Sequence, residues 1–438
     1  MSVREKWSAV VKEGKGLLGW AVTLYAIFSL GSMATMNIAA GVVLLAIVLE
    51  FVKGRLAVSH FLIESRRPAT RLLLWLSGLL ALACALSLIV GKLYPLSYTG
   101  RSADIRFFAD FAKAWYLFWP FVLVTALRMM TPGERTRALR AWFVTFAVLS
   151  VLGLFQFVTG WPRHQAIPGH EPFFHVTLFF GHHLSVASIL IFPFFAALDG
   201  LVSKRKAERL GLPRVFWLLM GAAGALALFG TYSRMLWGAL PLGILLWVFL
   251  SLRGKWRWVL VGTIVALGLA SLQWEPVRSR VHAGMGIQER VQLWRANLDF
   301  FSKRPLTGVG WRNTEELSAY YFAEKNPGVT DFFVGHAHNN LLEMLGGTGA
   351  LGTLAWLAWS LGVLWLAWNA SRGDSSLDSG ERDVNFARGL FCAWVVFQLN
   401  GLTQVNFWEG KVMHQMSFSL AWILLWAGIR KNRAGLSS

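Results

Sequence analysis

Two imidazoles one residue apart, followed by two amides and a carboxylate, make the densest chemical feature of this chain: Gly335-His336-Ala337-His338-Asn339-Asn340-Leu341-Leu342-Glu343. Glycines follow at 346, 347, 349 and 352, and the motif stands where the longest polar stretch, roughly residues 274 to 340, runs into an apolar one. An imidazole exchanges protons near neutral pH. Two of them at a membrane surface add little packing, which points to chemistry on something lipid-borne. Arginines offer the other half of a reaction. Arg234 closes Thr231-Tyr232-Ser233-Arg234 between two long apolar runs, and Arg290 lies beside the apolar stripe of an amphipathic segment. Each planar guanidinium can meet a phosphate or remain a solvated interfacial charge. A basic imidazole near arginines suits transfer to an alcohol from a partner with a good leaving group. Histidine removes the hydroxyl proton and arginine stabilises the departing phosphate.

Other chemistries fit less well. His336-x-His338 could share a zinc ion with a third ligand from His414, His282 or Glu343, but no cysteine or tight carboxylate cluster accompanies the pair. Asp-x-Asp, the usual acidic pair for divalent-metal nucleotide-sugar chemistry, does not occur, and neither does a Gly-x-Ser-x-Gly elbow. Gly308-Val309-Gly310 resembles a fragment of a nucleotide-binding loop but lacks the preceding strand and the further glycine spacing. No metal and no cofactor is expected.

The elements that must position these groups are membrane helices. Of 438 residues, 55% are hydrophobic and 15% charged, a composition that indicates a polytopic membrane protein. Twelve apolar runs are long enough to cross about 30 Å of hydrocarbon as helix: 17–33, 35–52, 72–91, 107–127, 141–160, 183–199, 214–232, 235–252, 256–273, 341–368, 386–405 and 412–429. Continuous runs such as Leu72 to Ile89 exclude the short alternation of a β-barrel. The expected fold class is an all-α polytopic membrane protein of about twelve transmembrane helices with one large, partly helical outer loop. Its parts are residues 1–273 with nine spans, 274–340 as the catalytic loop, and 341–438 with three spans.

A net charge of +19 reports topology here, and no nucleic-acid partner is expected. Arg4 to Lys15, Lys53 to Arg71, Arg128 to Arg140, Lys204 to Arg214, Arg253 to Arg257, Arg372 to Arg388 and Arg430 to Arg433 fall in every second segment between the runs, hence all on one side, and hold well over half of the 42 basic residues. Both termini are then expected in the cytoplasm and residues 274–340 on the far side. A cleavable signal peptide is not expected, because the first apolar run has no A-x-A-type exit and a second follows at once. Nine of the ten histidines, all but His60, fall on or beside the far face. Cys84 and Cys392 lie inside apolar runs and read as small core residues.

Two loops occupy that face. The first, 161–182, is rich in Pro, Gly and aromatic residues, contributes Arg163 as a neighbour of the site, and reads as an ordered cap. The second contains two amphipathic helices. One has Ile287, Val291, Trp294, Leu298 and Phe301 on its apolar side; the other runs around Glu315 to Phe322 and stops before Asn326-Pro327-Gly328. The glycines after the histidine motif read as close-packing positions, with room for a polyprenyl tail as the alternative. Trp161 and Trp311 are candidates for stacking on a sugar, within a chain of 23 tryptophans whose interfacial belts explain most of them. Lys411 and His414 could add a phosphate contact or snorkel to the interface.

These pieces together resemble the O-antigen ligase and O-antigen polymerase superfamily of bacterial envelope enzymes. Thr231-x-Ser233-Arg234 carries the resemblance, with Glu289-Arg290-x-x-x-Trp294, Pro305-Leu306-x-Gly308-x-Gly310, and His336-x-His338-Asn339-x-x-Leu342-Glu343 before Gly346, Gly349 and Gly352. It is clearest over about residues 220 to 370. The resemblance implies a GT-C-like glycosyltransferase of the bacterial inner membrane, active on the periplasmic side. Its donor would be an undecaprenyl-diphosphate-linked O-antigen and its acceptor a sugar hydroxyl of lipid A-core, in a metal-independent, inverting reaction of lipopolysaccharide biosynthesis. It further implies His338 as base, Arg234 and Arg290 as diphosphate contacts, His336 and Asn339 as neighbours, and Glu343 as a group that fixes a histidine tautomer or begins a helix. A polymerase or a protein O-oligosaccharyltransferase using the same donor remains an alternative, as does a transporter of lipid-linked oligosaccharides that forms no bond.

Overall fold

In lipid a backbone can bond only to itself or to other protein, so apolar sequence becomes helix. Each of the twelve apolar runs lies on one. The computed structural model describes residues 16–271, 287–329, 334–372 and 385–427, with residues 273, 275, 277 and 278 between the first two stretches. His282, weighed as a zinc ligand, lies outside the described residues, as do the basic residues near both ends of the chain. In chain order the helices are α1 (Leu17–Phe28), α2 (Met33–Val52), α3 (Pro68–Leu93), α4 (Phe107–Met129, interrupted by a 3-10 segment at Ala112–Leu117), α5 (Pro132–Thr159) and α6 (His183–Val202). Then come α7 (Arg214–Phe229), α8 (Arg234–Ser251), α9 (Lys255–Ser271), α10 (Ile287–Lys303), α11 (Thr314–Lys325), α12 (Asn340–Ser371), α13 (Ala387–Asn400) and α14 (Gly410–Ala427). Seven of these, α2 to α6, α8 and α12, are long and apolar enough to cross a membrane, and α1 and α7 are shorter apolar helices. The chain is a predominantly helical, multi-pass membrane protein.

Local chemistry sets the helix limits. Thr131 and Glu134 form a capping box at the start of α5, with Pro132 in its first turn, and the helix stops at Gly160 in the left-handed conformation, φ 78°. Helix α6 is buried along nearly its whole length and packs against α7 and α13, so it forms the axis of the bundle. By contrast α9 buries none of its residues and touches chiefly α8. The cap at 161–182 contains no helix and is organised from below by Gln156. Its Nε2 donates to the Arg163 carbonyl at 2.8 Å and to Thr177 Oγ1 at 2.9 Å, while its Oε1 accepts from Thr177 and Leu178 N–H groups at 2.9 and 2.7 Å. Both cysteines are free and buried.

Helix α12 is broken at Gly349, φ 63° and ψ −165°, and the break is filled by another part of the chain. The Ala350 and Leu351 N–H groups donate to the Pro305 and Leu306 carbonyls at 2.8 and 3.2 Å, while Val309 and Gly310 donate to the Gly346 and Gly347 carbonyls, both at 3.0 Å. Residues 305–310 thereby satisfy backbone groups that a broken helix leaves bare. The glycines are required for the approach. A Cβ at Gly308 would collide with the backbone of Gly347, and one at Gly349 with the carbonyl of Leu306. Close packing was the expected role of this series: at Gly349 the partner is a loop of the same chain, while Gly346 lies against Asn297 of the helix α10.

The buried side of α10 differs from the expected stripe. Leu293, Ala296, Asn297 and Phe300 are buried, whereas Leu298 is exposed. Leu293, Ala296 and Phe300 pack with Tyr98, Val309, Leu317 and Phe322, Asn297 lies under Gly346, and Trp294 turns toward the histidine motif. A helix held on several sides has no single face, so periodicity alone assigns it wrongly. Helix α11 begins and ends where the turn signals place it.

Candidate active site

The histidine motif is fixed by its own backbone. Ala337, between the two imidazoles, is gripped at both polar atoms: its N–H donates to Glu343 Oε2 at 2.7 Å, and its carbonyl accepts from Trp294 Nε1 at 2.8 Å. The other oxygen of Glu343 is bonded by Thr314 Oγ1. Glu343 is therefore a fully engaged buried strut that ties the motif to α11 and α12. Asn339 caps α12 by accepting from the Leu342 N–H at 3.1 Å, and its amide donates to the Leu402 carbonyl at 2.9 Å.

Asn340, singled out by no spacing argument, is the hub. It donates its N–H to the Gly401 carbonyl at 2.8 Å and its Nδ2 to Asn406 Oδ1 at 2.7 Å, and it accepts from the Asn406 N–H at 3.1 Å. It is buried and pins the motif to the turn between α13 and α14. The apolar run expected to span 386–405 in fact leaves the helix at Asn400, and residues 401–409 turn back to line a cavity.

That cavity, of about 370 Å³, lies among His336, His338 and Glu343 on one side and Gln404, Trp408 and Glu409 on the other. His182, Arg312 and Glu315 complete the polar part of its wall. The two motif histidines sit 4.3 Å apart, ring centroid to ring centroid. They are not equivalent. His338 donates its N–H to His336 Nδ1 at 3.3 Å, so that nitrogen of His336 carries no proton and serves the backbone. His338 itself holds a left-handed conformation, φ 48°, as does Arg312 at 67°. Strain at a non-glycine residue persists only where the surroundings enforce it, and here two such residues share one cavity. Burial, then the neighbouring His336, Arg290 and His182, pull the His338 imidazole down to about 3. It is neutral at ordinary pH and free to accept a proton.

Arg290 is thus electrostatically coupled to His338, from the first turn of α10. Arg234 approaches by a different route. It opens α8 after the N-cap Ser233, which follows Tyr232, whose φ is 59°. The His175 Nδ1–H donates to the Thr231 carbonyl at 3.3 Å, His175 stacks on His183 at 4.3 Å, and His183 stacks on His182 at 4.8 Å. His182 then faces the cavity, where burial, Lys411 and His336 lower its pKa. A row of imidazoles thus links the turn before Arg234 to the motif. Among the described residues, neither Arg234 nor Arg290 lines the cavity wall. Lys411 donates to the Phe180 carbonyl, and Arg163 packs over Gly181, so both brace the turn that carries His182.

Several expectations move. His414 does not join the motif: it is buried in the bundle with Nδ1 at 3.1 Å from the Tyr25 hydroxyl and Nε2 at 3.3 Å from Asn37 Oδ1. Trp311 is buried against Trp408, and Trp161 is exposed away from the cavity wall, which Trp408 lines instead. Arg312, Gln404, Trp408 and Glu409 were missed. Asn400 and Gln404 within one apolar run, with Asn406 just past its end, were the available signal. Among the described residues, no three His, Cys, Asp or Glu side chains are grouped to hold a metal ion.

Comparison with curated proteins finds no match. Residues 218–357, which contain Arg234, Arg290, His336 and His338, match the family model described as O-antigen ligase.

Proposed function

We propose that this protein is an O-antigen ligase of the bacterial inner membrane, which moves a preassembled glycan from undecaprenyl diphosphate to a sugar hydroxyl of lipid A-core at the periplasmic face. In this reading the chain makes twelve spans with both termini in the cytoplasm, as its basic loops require. His338 takes the proton of the acceptor hydroxyl. The oxygen attacks the anomeric carbon from the side opposite the phosphate, the carbon–oxygen bond to the diphosphate breaks, and the diphosphate leaves with the bonding pair. Arg290 and Arg234 stabilise the charge that develops on it. The configuration at the anomeric carbon inverts.

The observation that carries the reading is the environment of His338: neutral, conformationally forced, facing a polar cavity and coupled to Arg290. A base must be unprotonated at working pH; burial and then the charges around the ring keep His338 so, and Arg290 among them would offer a place for the leaving group. The one-sided gathering of polar groups supports an enzyme over a transporter, which would carry ionisable groups at mid-membrane.

The test is reconstitution of purified protein in liposomes with the lipid-diphosphate-linked glycan and, in separate reactions, lipid A-core, a second lipid-linked repeat unit or an acceptor protein. Glycan should appear on lipid A-core and should not appear with His338→Ala. Product on the second lipid-linked unit alone would make the protein a polymerase, and ligation by the His338→Ala protein would remove the proposed base.

A further inference from the structure

Among the described residues, five besides glycine hold a left-handed backbone: Thr99, Leu178, Tyr232, Arg312 and His338. Thr99 turns a two-stranded hairpin, and Arg312 and His338 stand on the cavity wall. Leu178 lies in the cap and Tyr232 in the turn before Arg234. Such conformations persist only where the surroundings enforce them, and they gather at working sites. At Leu178 the enforcing group is Gln156, whose Oε1 accepts the Leu178 N–H. At Tyr232 it is the cap itself.

Tyr232 is buried, with His170 at 5.6 Å, His175 at 5.9 Å and Trp237 at 4.9 Å between ring centroids. Ring contacts hold a side chain but leave the backbone free to turn. The planar peptide between Thr231 and Tyr232 turns as one unit, and its orientation sets φ of Tyr232 and the direction in which Ser233 and Arg234 open α8. Two bonds from adjacent cap residues fix it. The Val176 N–H donates to the Gly230 carbonyl at 3.0 Å, and the His175 Nδ1–H donates to the Thr231 carbonyl at 3.3 Å. The second bond falls on that peptide itself, and because a carbonyl only accepts, the proton stands on Nδ1. His175 is 6% exposed, its backbone N–H is bonded to the Gln165 carbonyl at 2.8 Å, and its ring lies flat on His183. The donor is held in place from three sides.

We infer that His175 is a positioning residue: through the Thr231 carbonyl it holds the peptide that aims Arg234, and through its stack on His183 and His182 it ties that aim to the cavity of His338. The inference rests on the glycan-transfer reading above, in which Arg234 meets the donor diphosphate. His175 touches neither the donor nor the reacting atoms. Its effect passes through Arg234 and therefore falls on the donor, not on the acceptor.

Two substitutions separate the bond from the packing. The amide nitrogen of an asparagine can stand close to where a histidine carries Nδ1, so His175→Asn keeps a donor and loses the ring, whereas His175→Phe keeps a ring and loses the donor. With transfer running in liposomes, His175→Phe should raise the donor KM about two- to tenfold, the scale of one hydrogen bond, and leave the acceptor KM unchanged. His175→Asn should restore most of the loss. In an Arg234→Ala background His175→Phe should add no further rise, since residues that act through one group are not additive. A ring that only fills space gives the reverse order, Phe harmless and Asn damaging, and that order overturns the inference. So does a His175→Phe effect that persists in full without Arg234. Should His175→Phe fail to fold, Tyr232→Gly loosens the same peptide from its other side; the donor KM should again rise alone, and an unchanged donor KM overturns the inference. Those outcomes leave glycan transfer standing. Absence of transfer by the unaltered protein to every acceptor would instead remove the reading beneath it.

Discussion

His338 and His414 were both expected near the same membrane face, and the structure puts them to opposite uses. At His414 both ring nitrogens face partners on other helices, Tyr25 and Asn37, and Trp119 Nε1 donates to the same Tyr25 hydroxyl at 2.8 Å. The cluster joins α1, α2, α4 and α14 into one buried knot. At His338 the backbone is forced, the ring borders a cavity, and burial first, then the neighbouring His336, Arg290 and His182, hold it neutral. The difference lies in the elements beneath the residues. A histidine inside a regular helix is surrounded by other helices and completes their hydrogen bonding, whereas one in a turn held by Trp294, Glu343 and Asn340 can be aimed at open space.

The sharpest way to break this contrast is to remove each ring in turn. His338→Ala should lower the transfer rate by about 10²- to 10⁴-fold, the range for loss of a general base, with the thermal midpoint in detergent nearly unchanged. His414→Ala should do the reverse, costing about 0.6 to 2 kcal/mol of stability for its interhelical bonds with kcat changed little. If His414→Ala proved the more damaging to kcat in folded protein, the two roles would have to be exchanged. Next in size is Gly349→Ala. The alanine would sit at a positive φ with its Cβ against the Leu306 carbonyl, so it should destabilise the fold by about 1 to 3 kcal/mol or more. A thermal midpoint equal to that of the parent protein would show that the joint between 305–310 and α12 carries little weight.

The smallest effect concerns pH. An unfolded histidine binds a proton below about 6.5, but folded His338 does so only near 3. The unfolded chain therefore holds the extra proton between these values, and this residue's contribution to stability is lost as pH falls through that window. For the same reason kcat/KM should stay level from pH 8 to below 6, since this parameter reports the free enzyme. Arg290→Ala removes one of the charges that depress His338, so the acid limb should move upward. A limb at the ordinary histidine value in the parent protein, or a downward shift in the variant, would contradict the environment described for His338.

Much of this was legible in the sequence, and the failures have physical causes. The helical runs, the cap and the end of α11 follow from hydropathy and turn residues. The cavity wall did not. Gln404 sits where an apolar run was read to 405 as if helical, Trp408 and Glu409 fall in the short gap after it, and hydropathy averages cannot see a chain that leaves its helix at Asn400. Arg312 escaped notice because its position depends on a left-handed backbone that its residue type does not advertise. The stripe on α10 was misassigned because Leu293, Ala296, Asn297 and Phe300, all left out of it, are buried against neighbouring elements.

The joint at Gly349 also bears on the order in which the protein is made. A helix interrupted within apolar surroundings exposes carbonyl and N–H groups until something meets them. Here the segment that meets them, residues 305–310, precedes α12 in the chain. Synthesis therefore produces the splint before the break it must cover. A rearranged gene that placed residues 287–329 after α12 would encode the same contacts, yet the broken helix would enter the membrane before its partner existed.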